Sequence, residues 1–132
     1  MSKFKDIPED KAPLENEHVA YNEVYRGTVN IDKLCVDDFV PSYILYKNQI
    51  RTFGKLCKAD YSVSLFTNLE KLKEKVKNIN SIKSYSKGYT NIKRGISTKE
   101  SEENHVNYYL YDYLTNSPCD DFEILEVKNE KS

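Results

Sequence analysis

The chain has no tryptophan, a single methionine, four glycines and three cysteines, and each scarcity removes a class of explanation. Cys35, Cys57 and Cys119 are odd in number and stand in no Cys-x-x-Cys spacing, which argues against a disulfide framework and against a zinc knuckle and leaves them as reduced core thiols. Two histidines, His18 and His105, give no ligand pair at helical or knuckle spacing, so no metal site is expected. The glycines, at 27, 54, 88 and 95, are too dispersed to cradle a phosphate. No run approaches the roughly 18 apolar residues of a membrane span, and Met1-Ser-Lys-Phe-Lys5 lacks the apolar stretch of a signal peptide, so a cytoplasmic location is expected.

What is present is enough for one core. At 132 residues with 39% hydrophobic content, the chain matches the size of a single domain that needs neither disulfides nor metal for stability. Eleven tyrosines carry much of the apolar surface, and each one that is buried needs a partner for its hydroxyl. The net charge of −1 hides an uneven distribution. Residues 1–46 hold 5 Lys/Arg against 9 Asp/Glu, residues 47–94 hold 12 against 3, and residues 95–132 hold 3 against 9. A basic middle between acidic ends offers a face for an anionic partner, or else folds against its flanks and interleaves the charges.

Along the chain, residues 1–20 carry Pro8, Pro13 and a dense mix of charges with few large apolar side chains, which predicts a flexible acidic arm. Residues 21–128 form the single domain, and 129–132 are expected to fray. Glu23 to Val29 reads as a strand, Tyr61 to Phe66 as a second with Tyr61, Val63 and Leu65 alternating with serines, and Tyr89 to Ser97 as a third. In that third segment Ile92, Arg94 and Ile96 share a face, so either Gly95 marks a bulge or a cation lies beside apolar neighbours. His105 to Tyr113 and Asp121 to Val127 follow as two further strands; residues 43–59 fit either a strand or a loop. Thr67 and Glu70 have capping-box spacing, and Leu69, Leu72, Val76 and Ile79 form one helical stripe over Thr67 to Ile79. The expected fold is α+β: a mainly antiparallel sheet of about five strands with one main amphipathic helix packed on it.

Three patches carry a family resemblance. Tyr25-Arg-Gly-Thr28 on the first strand, Ser62-x-Ser64 on a strand running into a capped helix, and the closing Phe122 to Val127 strand together resemble the ADP-ribosyltransferase superfamily. The resemblance implies NAD as cofactor, with Arg26, Gly27, Thr28 and Ser62 as cofactor-binding candidates and Arg26, Ser64 and His105 as catalytic ones. A guanidinium suits phosphate and carboxamide recognition, and a neighbouring glycine lets a ligand approach the backbone. The family's transferases place a catalytic Glu on the strand before the last; His105 to Tyr113 carries none. The patches around Val36 to Ser42, Tyr61 to Phe66 and His105 also look like a group of small bacterial proteins of undetermined role.

Other residues suggest other roles. Tyr109, Tyr111 and Tyr113 share one face of their strand with His105 and, if open to solvent, make a surface for a protein partner without any cofactor. If the Leu69/Leu72/Val76 helix covers them, they are core. Lys87-Gly-Tyr89 matches the opening of an RNA-recognition strand signature and then departs from it at Thr90 and Asn91. Asp37-Asp38 and Asp120-Asp121 are expected to cap turns. A small cytoplasmic protein acting through its tyrosine-rich sheet surface is the leading expectation; an NAD-dependent transferase-like enzyme and an RNA-binding domain are the alternatives.

Overall fold

The computed structural model describes residues 3–45 and 56–128, so most of the 43–59 segment that the sequence left open lies outside the described residues, as do 129–132. Six strands occur among them: β1 Val24–Thr28, β2 Val63–Phe66, β3 Ser84–Gly88, β4 Gly95–Lys99, β5 His105–Leu110 and β6 Phe122–Val127. They form one sheet in the order β4-β5-β2-β1-β3-β6, with every pairing antiparallel. Among the described residues two α-helices, α1 (Ser42–Leu45) and α2 (Leu69–Val76), and five short 3-10 segments complete the expected α+β fold, with one strand more than anticipated.

Side-chain alternation sorts the core. Val63 and Leu65 of β2 stand opposite Tyr108 and Val106 of β5 and join Val24, Leu34, Phe39, Leu110 and Phe122 in one buried cluster. The opposite face presents Tyr25, Phe66 and Tyr85, onto which α2 lays Leu72 and Val76. The helix starts one residue later than the capping-box spacing predicts. Asn68, not Thr67, is the N-cap, its Oδ1 accepting from the Lys71 amide at 3.0 Å. Thr67 is diverted to Asn104, whose φ of 66° lies in the left-handed region that asparagine tolerates. The helix ends at Val76, so Ile79 is left exposed.

The third strand is not where alternation put it. β3 is Ser84–Gly88, and Asn91 to Arg94 form a turn leading into β4. Serines 84 and 86 are buried despite being polar because they bond to each other's partner: Thr28 Oγ1 lies 2.5 Å from Ser84 Oγ and 2.8 Å from Ser86 Oγ. Arg94 therefore lies outside the strand rather than among its apolar residues. Its Nε donates to Asp121 Oδ2 at 3.1 Å, and Tyr89 donates its hydroxyl to the other Asp121 oxygen. Arg94 immediately precedes β4 and Asp121 immediately precedes β6, the two opposite edges of the sheet, so this ion pair requires the sheet to curl around the Phe39 cluster.

Residues 3–20 depart from the flexible arm that their composition predicts. Phe4 and Ile7 are 8% and 7% exposed, packed with Tyr61, Ile96 and Tyr109. Two well-placed anchors suffice where composition counts only an average. Farther along, the Val19 amide donates to Ser97 O and the Ser97 amide donates to His18 Nδ1, which covers the outer edge of β4. At the other edge, β6 carries an extra residue: Tyr85 faces Glu126 and Ser86 faces Ile124, leaving Leu125 unpaired in a bulge. No helix among the described residues is long and apolar enough to cross a membrane.

Candidate functional site

β1 and β2 pair at a single position, Tyr25 with Phe66. Continuing that register would set Gly27 opposite Ser64, but the strands part there. Arg26 bridges the gap. Its Nε donates to the Asp38 carbonyl at 2.6 Å and its Nη1 to the Ser64 carbonyl at 2.9 Å, with the guanidinium 5.9 Å from the Phe39 ring centre. The backbone oxygen of a strand that has lost its neighbour is thus satisfied by a side chain.

The divergence opens a cleft of about 370 Å³. Its lining combines the apolar Phe66, Leu72, Val76, Ile79 and Ile82 with the polar Arg26, Asp38, Ser42, Ser64, Lys75 and Ser81. Asp38 is 1% exposed and fully engaged: it accepts from the amides of Val29 (2.7 Å), Asn30 (3.1 Å) and Cys35 (3.0 Å) and from Asn30 Nδ2 (2.7 Å). This matches the capping role expected of the Asp37-Asp38 pair and leaves that carboxylate no capacity for catalysis. Asp37 sits exposed at the rim.

The sequence candidates divide. Arg26, Gly27 and Ser64 line the cleft. Thr28 and Ser62 do not: Thr28 is locked into the serine cluster, and Ser62 Oγ donates to the Ala59 carbonyl at 2.8 Å and lies 3.2 Å from Asn107 Oδ1. The space above Gly27 is taken by the protein itself, since a Cβ there would stand 3.0 Å from Ile82 Cγ2.

His105 lies elsewhere, in a separate concavity with Tyr21, Thr67 and Asn104. Its ring centre is 5.1 Å from that of Phe66, and its Nδ1 is buried with no hydrogen-bond partner among the described residues. Burial pushes its pKa below the usual histidine value, opposed by the charges of Glu102 and Glu100. Arg26, Ser64 and His105 therefore do not converge on one cleft.

The tyrosine surface is not a free surface. Tyr109 is 2% exposed beneath Phe4 and Ile7, so it is covered by the N-terminal segment and not by the helix. The same burial pushes its hydroxyl up to about 12. Tyr111 stacks against Phe4 at 5.0 Å, whereas Tyr113 packs on the Phe39 cluster. Tyr109 and Tyr111 thus share the side covered by Phe4, whereas Tyr113 leaves it, because β5 ends at Leu110 and the two-residue period ends with it.

Among the described residues, four of the twelve Lys and Arg side chains of the 47–94 segment pair with the acidic flanks. Lys58 pairs with Glu17 (3.7 Å), Lys73 with Glu126 (2.8 Å), Lys75 with Glu102 (3.1 Å) and Arg94 with Asp121 (3.1 Å), each joining the 47–94 segment to an acidic flank. Tyr89, the aromatic of the RNA-type signature, is exposed but stands past the end of β3. Interleaving accounts for these four charges.

Among the described residues no group of three or more His, Cys, Asp or Glu side chains is placed to hold a metal ion. The cysteines are not core thiols: Cys35 and Cys57 are exposed and Cys119 is half-buried. The apolar wall of the cleft was not identifiable as a site, because Leu72 and Val76 read simply as a helix stripe and Ile82 as part of a loop.

Comparison with protein-family models, curated proteins and solved structures found no match for this chain.

Proposed function

We propose that this protein is a cytoplasmic nucleotide-binding domain, similar in its site to ADP-ribosyltransferases, that receives the nicotinamide end of NAD between β1, β2 and α2 without carrying out transfer. The observation that carries this reading is the meeting of Arg26 and Ser64 in the cleft at the point where β1 and β2 part. Those are two of the positions on which the sequence resemblance rests, and they come from strands 38 residues apart.

Size and chemistry support a fragment rather than a whole dinucleotide. A cavity of roughly 150 Å³ holds benzene, so the 370 Å³ cleft suits a ring with part of a ribose and leaves the adenosine half outside. An apolar wall for a ring and a polar end for its substituents is the usual division in such sites. Transfer is left out of the proposal because neither carboxylate of the described lining supports it: Asp38 is consumed by four donors and Asp37 is on the rim.

Thermal unfolding with NAD, ADP-ribose and nicotinamide tests the proposal. A ligand at 100 times its dissociation constant stabilises a fold by roughly 2.7 kcal/mol, a readily measured shift. NAD and nicotinamide are expected to raise Tm, and Ile82→Trp, which fills the cleft, to abolish the rise. No shift with any of the three at millimolar concentration would refute it.

A further inference from the structure

We propose that His18 is a pH-dependent clasp that holds residues 15–19 on the outer edge of β4. An edge strand needs partners for its outward N–H and C=O groups, and here Ser97 receives them from an unusual source. Its carbonyl accepts from the Val19 amide at 2.8 Å in ordinary strand fashion. Its amide donates at 3.0 Å to His18 Nδ1, so an imidazole nitrogen stands where a strand carbonyl would. That bond demands an unprotonated Nδ1, and therefore the neutral tautomer with its proton on Nε2.

Protonation sets an N–H against the Ser97 N–H and removes that amide's acceptor, leaving Nδ1 only the Ser97 hydroxyl 3.4 Å away. The hydrogen bonds that tie residues 19–21 to the sheet are neutral and insensitive to pH in this range: Ser97 Oγ donates to the Val19 carbonyl at 2.6 Å, the Tyr21 amide to Thr90 Oγ1 at 3.0 Å, and the Thr90 amide to the Tyr21 carbonyl at 2.9 Å. Tyr21 is thus pinned twice without His18, and Phe4 and Ile7 are buried by contacts that do not involve it. Opening is consequently confined to residues 15–19. The charged groups on the packed elements are Glu15 and Glu17 on the same segment, Lys3 and Lys58, which pair with them at 3.2 and 3.7 Å, and Lys99 at the end of β4. Burial is what lowers the pKa of His18, which keeps the clasp closed at neutral pH.

Amide hydrogen exchange followed by NMR at pH 7.5 and pH 5.0, corrected for intrinsic exchange rates, tests the clasp on the full chain. Protection at Ser97 and Val19 is expected to fall at least tenfold at pH 5.0, while Thr90 and Val106 keep theirs. His18→Asn, whose side-chain oxygen accepts a bond at any pH, is expected to remove the difference. Equal protection of Ser97 at both pH values, an equal loss at Val106, or a full pH effect retained in His18→Asn would each overturn the proposal. So would a long-range nitrogen correlation spectrum of the wild type showing Nδ1 protonated at pH 7.5, a measurement that needs no variant.

Discussion

Arg26 Nη1 reaches across the parting of β1 and β2 to the main-chain carbonyl of Ser64, 2.9 Å away, and so replaces with a side chain the ladder bond that the sheet gives up there. Together with its bond to the Asp38 carbonyl, this makes Arg26 both a wall of the cleft and the brace that keeps it open. Arg26→Ala is expected to cost about 2–4 kcal/mol in urea unfolding, given about 1.5–3 kcal/mol for a hydrogen bond from a charged donor. Arg26→Lys should recover less than half, because a point ammonium cannot reach two carbonyls with a planar fork. A lysine variant as stable as wild type would refute the bracing role.

Asp38 offers a second test of the same corner. It gathers four N–H donors from residues 29–35 at a position with almost no solvent. Asp38→Asn keeps the shape but turns an NH₂ toward donors, and is expected to destabilise by about 2–4 kcal/mol. A midpoint within error of wild type in chemical denaturation would show that the 29–38 loop does not depend on the carboxylate.

The glycines should separate sharply. A Cβ at Gly95 would lie 2.2 Å from the Tyr109 carbonyl oxygen and 2.8 Å from Leu110 Cα, both backbone atoms of the paired strand, so Gly95→Ala is expected to cost about 3 kcal/mol or more. At Gly27 the obstacle is the Ile82 side chain at 3.0 Å, which can shift, and Gly27→Ala should cost less than about 1 kcal/mol. Calorimetric Tm values would decide, and a reversed order would contradict the described packing.

Much of this arrangement can be read from the sequence, and what cannot has identifiable causes. β1, β2, β5, β6 and α2 were legible because the strands are rich in β-branched and aromatic residues and α2 repeats its apolar residues every three or four positions. β3 was hidden because Ser84 and Ser86 are buried through hydroxyl bonding to Thr28, which leaves no hydrophobic alternation to detect. The packing of Phe4 and Ile7 on Tyr109 is a long-range match invisible in local composition. Arg26, Gly27 and Ser64 could be picked out as candidates, but the divergence of their strands, which makes the cleft, is a tertiary event.

Stability should rise with pH across the histidine range. Burial holds the pKa of His105 in the fold below its unfolded value of about 6.5, so the unfolded chain binds more protons wherever the two differ. The contribution is complete above pH 6.5 and is lost as pH falls through 6.5 toward the folded value. Urea midpoints at pH 7.5, 6.5 and 5.5 should therefore decline in that order, and His105→Phe, which keeps an aromatic ring beside Phe66, should flatten part of the decline. If the phenylalanine variant retained the whole slope, the buried imidazole would not be its source.

The bulge at Leu125 has a consequence for how these molecules meet in crowded solution. A fibril grows when identical flat strands stack without interruption, each offering an unbroken row of amide and carbonyl groups to the next. The extra residue breaks that row on one flank of the sheet, and residues 18 and 19 occupy the other, so concentrated samples are expected to remain free of ordered aggregates as long as both guards stay in place.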